Sequence, residues 1–194
     1  MPEIASPPAS TLTPAKTARQ RSDTLTSIWM IIAVAMALVT LVVKNRMPQP
    51  LWTMIHLVTL GVLSNGIFQW SWFFARSLAR LSADDPRARR HNTIRILIFN
   101  ACFLLLFVSM WLGWMVGTMI AATGIAAVAA WHGAEMLSVL RERLASRFVI
   151  VVRYYVCSAS FFVLAALLAS FVSATMFSPS IPEAMVAMRD RLTL

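Results

Sequence analysis

Polar side chains that interrupt long apolar stretches are the candidates for chemistry in this sequence. A polar group in lipid is costly, so such a residue usually has a partner or a function. Imidazole is a ligand for metals and haem, amides join helices by hydrogen bonds, and opposite charges form ion pairs. The residues concerned are His56, Asn65, Gln69, Asn100, His132, Glu135 and Arg153.

His56 is the candidate metal and cofactor ligand, because neutral imidazole suits both a copper ion and the axial position of a haem. On a helix, Gly66 shares its face and would let a flat ligand or a neighbouring helix come close. The alternative is a histidine that hydrogen-bonds across helices or to interfacial water. His56 and His132 are predicted to differ by roughly 14 Å in depth in a bilayer core of about 30 Å. They therefore cannot share one metal, whose bond to nitrogen is about 2 Å long.

His132 and Glu135 are three residues apart, so on a helix they can face one partner. Their order, His-x-x-Glu, is the reverse of the Glu-x-x-His motif of di-metal bundles and is a weak metal motif. Arg153 begins the last apolar stretch at the depth predicted for Glu135, and we expect these two residues to form a structural ion pair. Asn65, with Gln69 four residues later, is typical of hydrogen bonding between helices.

Composition places these residues in a membrane protein. Of 194 residues, 59% are hydrophobic and 13% are charged, whereas a soluble domain is about 45–50% apolar and about 25% charged. The nine prolines all lie outside the apolar stretches, as helices in lipid require. The predicted fold class is all-α, a polytopic integral membrane helical bundle. A span takes about 20 residues, and five are predicted, at 27–43, 51–74, 95–113, 117–137 and 154–177.

The basic residues predict an N-in/C-out orientation in the plasma membrane. Thirteen of them lie in the N-terminal tail, the loop after span 2 and the segment before span 5, against four elsewhere, and cytoplasmic segments carry such an excess. Residues 27–177 are then the five-helix membrane domain. Residues 1–26 are predicted to be a disordered cytoplasmic tail and 178–194 an extracytoplasmic tail. Gly113 and Gly117 bracket the predicted turn between spans 3 and 4.

The same distribution of arginines indicates the partners of the cytoplasmic face. Anionic lipids suit a face that is rich in arginine. Nucleic acid is not an expected partner, because the spans separate the arginines and no soluble platform carries them. His91, in the arginine-rich loop after span 2, is predicted to be solvated.

Three stretches of the sequence together resemble a known family. Their order resembles the membrane-embedded N-terminal region of actinobacterial membrane-anchored copper oxidase and copper nitrite reductase-like proteins. More distantly, it looks like the haem- and copper-containing membrane proteins of the nitric oxide response. The similarity covers about residues 28–194. The stretches are His56–Gly61 (HLVTLG) continuing to Ser64–Ser71 (SNGIFQWS), then Trp131-His132, then Arg147-Phe148 with Val152–Tyr155 (VRYY).

The resemblance implies a membrane module that anchors an extracytoplasmic copper domain or passes electrons to it. In that family the next helix opens with a His-x-His motif and a cupredoxin domain lies further on, whereas this chain stops at Leu194 before either. The resemblance bears most directly on His56 as a haem or copper ligand, and less on Asn65 and His132 as cofactor-binding residues. The sequence holds no nucleophile–base set, so we do not expect catalysis by this chain alone.

Two other functions remain open. A non-enzymatic scaffold or assembly subunit would use its polar residues only to hold helices together, with other membrane subunits as partners. A small permease subunit would place broken helices and charged groups near the midplane of the membrane. The predicted spans contain neither a proline nor a charge at mid-depth.

Overall fold

The computed structural model describes residues 14–47, 49–81, 85, 87–143, 149–176 and 182–193. Every regular element in these residues is helical. The α-helices are α1 (Pro14–Val43), α2 (Pro50–His56), α3 (Asn65–Leu78), α4 (Asn92–Leu112), α5 (Met115–Arg143), α6 (Val149–Met176) and α7 (Glu183–Thr193). A 3₁₀ turn covers Lys44–Arg46, and π-helical segments cover Leu57–Ser64 and Arg87–His91.

Five stretches of helix are long and apolar enough to cross a membrane, which confirms the five predicted segments and the all-α fold. The second stretch is one continuous rod made of α2, the π-helical segment 57–64 and α3. The stretches are Asp23–Arg46, Pro50–Leu78, Asn92–Leu112, Met115–Glu142 and Val149–Thr175.

The surface of the bundle is apolar, and part of its interior is polar. Val42 is 83% exposed and Phe161 is 73% exposed, while Asn65, Arg95 and Asn100 are buried. In water this arrangement would expose apolar groups and desolvate polar ones, and both are unfavourable. In lipid, exposed apolar side chains are favourable instead of unfavourable. The distribution therefore supports a multi-pass membrane protein.

The first helix begins earlier than the sequence predicts. Disorder is the prediction for residues 1–26, and it is wrong for residues 14–26, which belong to α1. Proline is favoured at the first position of a helix, and the alanine, lysine, arginine and glutamine residues that follow Pro14 are good helix formers. Residues 1–13 lie outside the described part of the chain. The predicted C-terminal tail contains α7.

The turn between α4 and α5 is where the sequence places it. Gly113 has a φ of 63°, in the left-handed region that glycine adopts without strain. The backbone N–H of Trp114 donates to the carbonyl of Ser109 at 2.8 Å, which closes the end of α4. The 39-residue uncharged stretch from Ile96 to Ala134 is therefore two antiparallel helices.

The helices pack in a way that gives the bundle two distinct ends. At one, the Trp52 end, α2 lies beside the last turn of α4, where the indole Nε1 of Trp111 donates to Thr53 Oγ1 at 3.4 Å. At the other, the Arg87 end, the end of α3, the start of α4 and the end of α5 meet.

Helix α1 packs against segment 57–64, where a Cβ at Gly61 would lie 2.5 Å from the Cβ of Ala33. Only glycine at position 61 permits this approach.

Candidate functional site

Glu135 of α5 is the centre of a charged cluster near the Arg87 end. Its Oε2 lies 2.9 Å from Nη1 of Arg95. Its Oε1 lies 2.7 Å from Nδ1 of His91 and accepts a hydrogen bond of 2.9 Å from the indole N–H of Trp131. The guanidinium carbon of Arg95 lies 4.7 Å from the centre of the Trp72 ring, within the range of a cation–π contact. The side chains of Arg95 and Glu135 are 3% and 9% exposed, so this is a buried ion pair.

The predicted pairing of Glu135 with Arg153 is wrong. Arg153 is exposed, and the Glu135 carboxylate is occupied by Arg95 and His91. The physical reason is where α4 begins: it starts at Asn92, so Arg95 lies in its first turn and faces the interior. His91 is partly solvated, with 37% of its side chain exposed, and its ring also contacts the Glu135 carboxylate, a partner that the sequence does not predict.

Amide groups extend this cluster to α1. Arg95 Nη2 donates to Asn92 Oδ1 at 3.4 Å, and Asn92 Nδ2 donates to Gln69 Oε1 at 3.2 Å. Gln69 in turn donates from Nε2 to the carboxylate of Asp23. The network therefore joins α1, α3, α4 and α5, and it confirms Gln69 as a residue that joins helices.

Asn65 and Asn100 form a second polar contact, in the middle of the bundle. Each amide donates to the other's Oδ1, at 3.0 and 2.8 Å. Their second amide hydrogens go to backbone carbonyls of their own helices, those of Gly61 at 3.0 Å and Ile96 at 2.8 Å. Neither amide has a hydrogen left for a ligand. This geometry gives Asn65 a structural role and does not bring it to a cofactor.

His132 is buried near the cluster but does not belong to it. Its Nε2 lies 2.9 Å from Ser71 Oγ, and its ring contacts Phe68 with 4.8 Å between centroids. The cavity of about 40 Å³ beside it is far below the roughly 300–1,000 Å³ of small-molecule sites. His132 and Glu135 thus face different partners, and the His-x-x-Glu spacing does not form a joint site.

His56 lines a larger cavity, of about 310 Å³, near the Trp52 end. Its Nδ1 lies 2.9 Å from the carbonyl oxygen of Trp52. A carbonyl only accepts, so Nδ1 carries the hydrogen and Nε2 of the neutral ring keeps a lone pair. The Trp52 ring stacks on the imidazole at 4.0 Å. Within the described part of the chain, no residue hydrogen-bonds to Nε2.

The backbone next to His56 is also unusual. The π-helical segment Leu57–Ser64 begins at the following residue, and the hydroxyl of Ser64 donates to the carbonyl of Thr59, five residues back, at 2.8 Å. π-Helical turns inside α-helices are rare and frequently occur at functional sites. The sequence identifies His56, but the hydrophobic pattern around it contains no signal for this change of helix type.

The residues present do not fit a copper ion. In the described residues no three His, Cys, Asp or Glu side chains come together as a metal site. Among the described lining residues, His56 offers one ligand nitrogen and Met110 offers one sulfur. Copper sites need more donors than these two.

The residues of the cavity meet only one requirement of a haem, an axial ligand. The Nε2 of His56 could supply that bond, and a backbone carbonyl on Nδ1 is the arrangement that metal-binding histidines use. However, none of the described residues lining the cavity is a lysine or arginine that would neutralise the haem propionates. The volume of about 310 Å³ is also at the lower limit for small-molecule sites.

Comparison with known proteins adds no family: no family model, no curated protein and no solved structure matches this chain.

Outside the apolar segments, Arg87 binds side chains of α5 and so connects segment 87–91 to that helix. It contacts Asp85 at 2.9 Å, Glu142 at 3.0 Å and the hydroxyl of Ser138 at 3.1 Å. The hydrogen bond to Asp85 is the main reason why the pKa of Arg87 is raised above its ordinary value, so this residue stays charged at physiological pH. The Glu142 side chain is 50% exposed, and exposed pairs of this kind contribute little to stability.

We expect Glu135→Gln to lower the free energy of unfolding by about 3–5 kcal/mol, because it leaves the Arg95 charge buried without a counter-charge. The matched control is Glu142→Gln, which removes an exposed partner of Arg87 and should change stability by less than about 1 kcal/mol. Reversible unfolding of the purified protein in mixed micelles measures both changes.

The double variant Arg95→Met/Glu135→Met should recover most of the lost stability, because it removes both charges together. Equal losses for Glu135→Gln and Glu142→Gln would show that the buried pair does not stabilise the bundle.

Proposed function

We propose that this chain is a multi-pass plasma-membrane protein, N-in/C-out, that holds a small ligand against His56 in the outer half of the bundle. The observation that carries the proposal is the cavity of about 310 Å³ beside an imidazole with one nitrogen fixed and the other unpaired among the described residues. Small-molecule sites are typically apolar cavities with a few placed polar groups.

The orientation rests on charge and on tryptophan. Five described arginines lie at the Arg87 end, which becomes the cytoplasmic end: Arg80, Arg87, Arg90, Arg141 and Arg153. Trp52, Trp111 and Trp114 lie at the opposite end, at the depth where indole rings favour the membrane interface. In this orientation the cavity beside His56 opens near the extracytoplasmic face.

The role that we propose is that of a membrane module for an extracytoplasmic redox protein. The resemblance to the membrane region of copper oxidase and nitrite reductase-like proteins supports it, because those proteins place their copper domain on that face. The proposed copper site belongs to such a partner, since the described residues of this chain bring together no set of ligands that fits copper. The ligand beside His56 would be what the module contributes.

A non-enzymatic scaffold or assembly subunit is the second candidate. One observation favours it: the amide of Asn65, the Nε2 atom of His132 and the carboxylate of Glu135 each have a partner on another helix of the bundle. A permease has no comparable support, because the buried charges of Arg95 and Glu135 do not line the cavity beside His56.

Reporter fusions test the orientation. We expect a fluorescent protein that folds only in the cytoplasm to be active at the N-terminus, and a phosphatase that needs export to be active at the C-terminus. Active reporters of one kind at both ends would contradict the five-span N-in/C-out arrangement, and with it the depth of the cavity.

A neutral aromatic probe without hydrogen-bond donors, the dimethyl ether of trimethylhydroquinone, tests the cavity. We expect it to bind protein-containing nanodiscs more than empty ones in equilibrium dialysis. Ala166→Phe fills the cavity and should reduce binding at least tenfold, whereas Ala174→Phe, on the same helix but outside the lining, should not.

If Ala166→Phe binds the probe as well as Ala174→Phe does, the probe does not occupy this cavity. Titration with haem and with Cu(I) provides a second check, for which we expect no signal that depends on His56. A Soret band that appears in the wild type and disappears in His56→Ala would show that the ligand beside His56 is haem.

Anionic lipid is the partner that we propose for the cytoplasmic end. Arg141 and Arg153 lie at a cleft of about 530 Å³ between α5 and α6 whose other described lining residues are apolar or a cysteine. Basic pockets between helices on this side of a membrane bind acidic head groups. An apolar cleft beneath two guanidinium groups also offers room for an acyl chain.

We expect Arg141→Gln/Arg153→Gln to weaken retention of phosphatidylglycerol by about thirtyfold, since each of the two basic residues near the surface contributes about 1 kcal/mol. Native mass spectrometry of the purified protein measures the retained lipid. The control is Arg80→Gln/Arg90→Gln, which removes two exposed arginines outside the cleft. Equal losses in both double variants would indicate diffuse attraction instead of a site.

A further inference from the structure

The polar side chains around the His56 cavity are mainly hydrogen-bond acceptors. The hydroxyls of Thr59, Ser64 and Ser173 each donate to a backbone carbonyl of their own helix, at 2.8 Å in every case. Each hydroxyl oxygen keeps lone pairs, and Nε2 of His56 keeps one as well. Among the lining residues that the structure describes, Trp52 alone retains a side-chain donor hydrogen, on its indole nitrogen. The cavity therefore favours a ligand that donates hydrogen bonds.

The same lining selects a neutral ligand. None of the described residues that line the cavity is Asp, Glu, Lys or Arg. A cationic amine would need a carboxylate there, and an anion would need a guanidinium or an ammonium group. Two aromatic rings, those of Trp52 and Phe162, lie among aliphatic side chains in the lining. A neutral flat ring fits this environment.

The cavity reaches the surface of the bundle. Three of its lining residues, Thr59 of segment 57–64 and Ala165 and Ala169 of α6, are exposed. The small side chains of α6 leave room at this point for an aliphatic tail to leave the bundle. A ligand dissolved in the membrane can thus enter without passing through water.

We propose that this cavity binds the hydroxylated ring of a membrane quinol, with one hydroxyl donating to Nε2 of His56. A quinol is neutral, flat and soluble in lipid, and it carries hydroxyl hydrogens for the acceptors that the cavity offers. The matching quinone has lost those hydrogens, so the site favours the reduced form. This inference rests on the proposed function and names the class of ligand that the module holds.

Three probes with one ring test the hydrogen bond. Trimethylhydroquinone, its dimethyl ether and trimethylbenzoquinone are dialysed without oxygen against nanodiscs that contain the full chain. We expect the hydroquinone to bind about tenfold more tightly than the ether, because a hydrogen bond contributes about 1 kcal/mol and an unmet acceptor adds to the difference. The quinone should bind more weakly than the hydroquinone.

His56→Phe keeps a ring that can stack on Trp52 but removes the acceptor nitrogen. It should reduce the preference for hydroquinone over ether to about twofold or less, while the ether still binds. Ala166→Phe should abolish the binding of all three probes. The comparison of the probes on the wild type needs no variant, so it remains decisive if His56→Phe does not fold.

Equal binding of hydroquinone and ether to the wild type would overturn the quinol inference and leave the ligand-holding function intact. A preference that survives in folded His56→Phe would overturn the assignment of His56 as the acceptor. Failure of all three probes to bind would contradict the proposed function itself.

Discussion

The constraint on which this bundle depends is that polar groups inside it must find partners inside it, because lipid offers none. Arg95 and Glu135 supply each other's counter-charge, with Nη1 and Oε2 2.9 Å apart but not in hydrogen-bond geometry, and Trp72 of α3 covers the guanidinium. One contact therefore fixes the depth of α3, α4 and α5 together. Sliding one helix by a turn, about 5.4 Å, would strand a charge in an apolar environment. The reciprocal bonds between Asn65 and Asn100 set the same register nearer the middle.

The two ends of the bundle differ in how they meet this constraint. At the Arg87 end, several helices are joined through side chains, and α5 packs on α6 through apolar residues such as Met136, Val139 and Val152. Near the Trp52 end, several of the α6 residues that line the cavity are small (Ala165, Ala166, Ala169 and Ser173), and the cavity lies between α6 and the part of the chain that contains His56. A closely packed end and an end with a cavity suit a protein that must keep its helices aligned and still admit a molecule from the membrane.

The sequence predicts what depends on local signals. Apolar length predicts the five helices, and Gly113 predicts the turn, because both properties belong to short stretches of chain. The pairing inside the bundle is different. By apolar length alone, Arg95 and Arg153 are both predicted near the depth of Glu135, and the packing of each helix decides which one faces it. That packing involves the whole bundle, so the sequence could not distinguish them.

His56 stands apart from the other polar residues for a physical reason. A residue whose purpose is to fasten helices gains most when all its polar atoms are engaged, as those of Asn65 are. His56 engages one nitrogen with the backbone of its own helix, which joins nothing to a neighbour. That bond fixes the ring and directs the tautomer, and the second nitrogen remains without a partner among the described residues beside a cavity. An oriented but unpaired imidazole in an apolar environment gains its stabilising contact only when something else supplies the hydrogen bond.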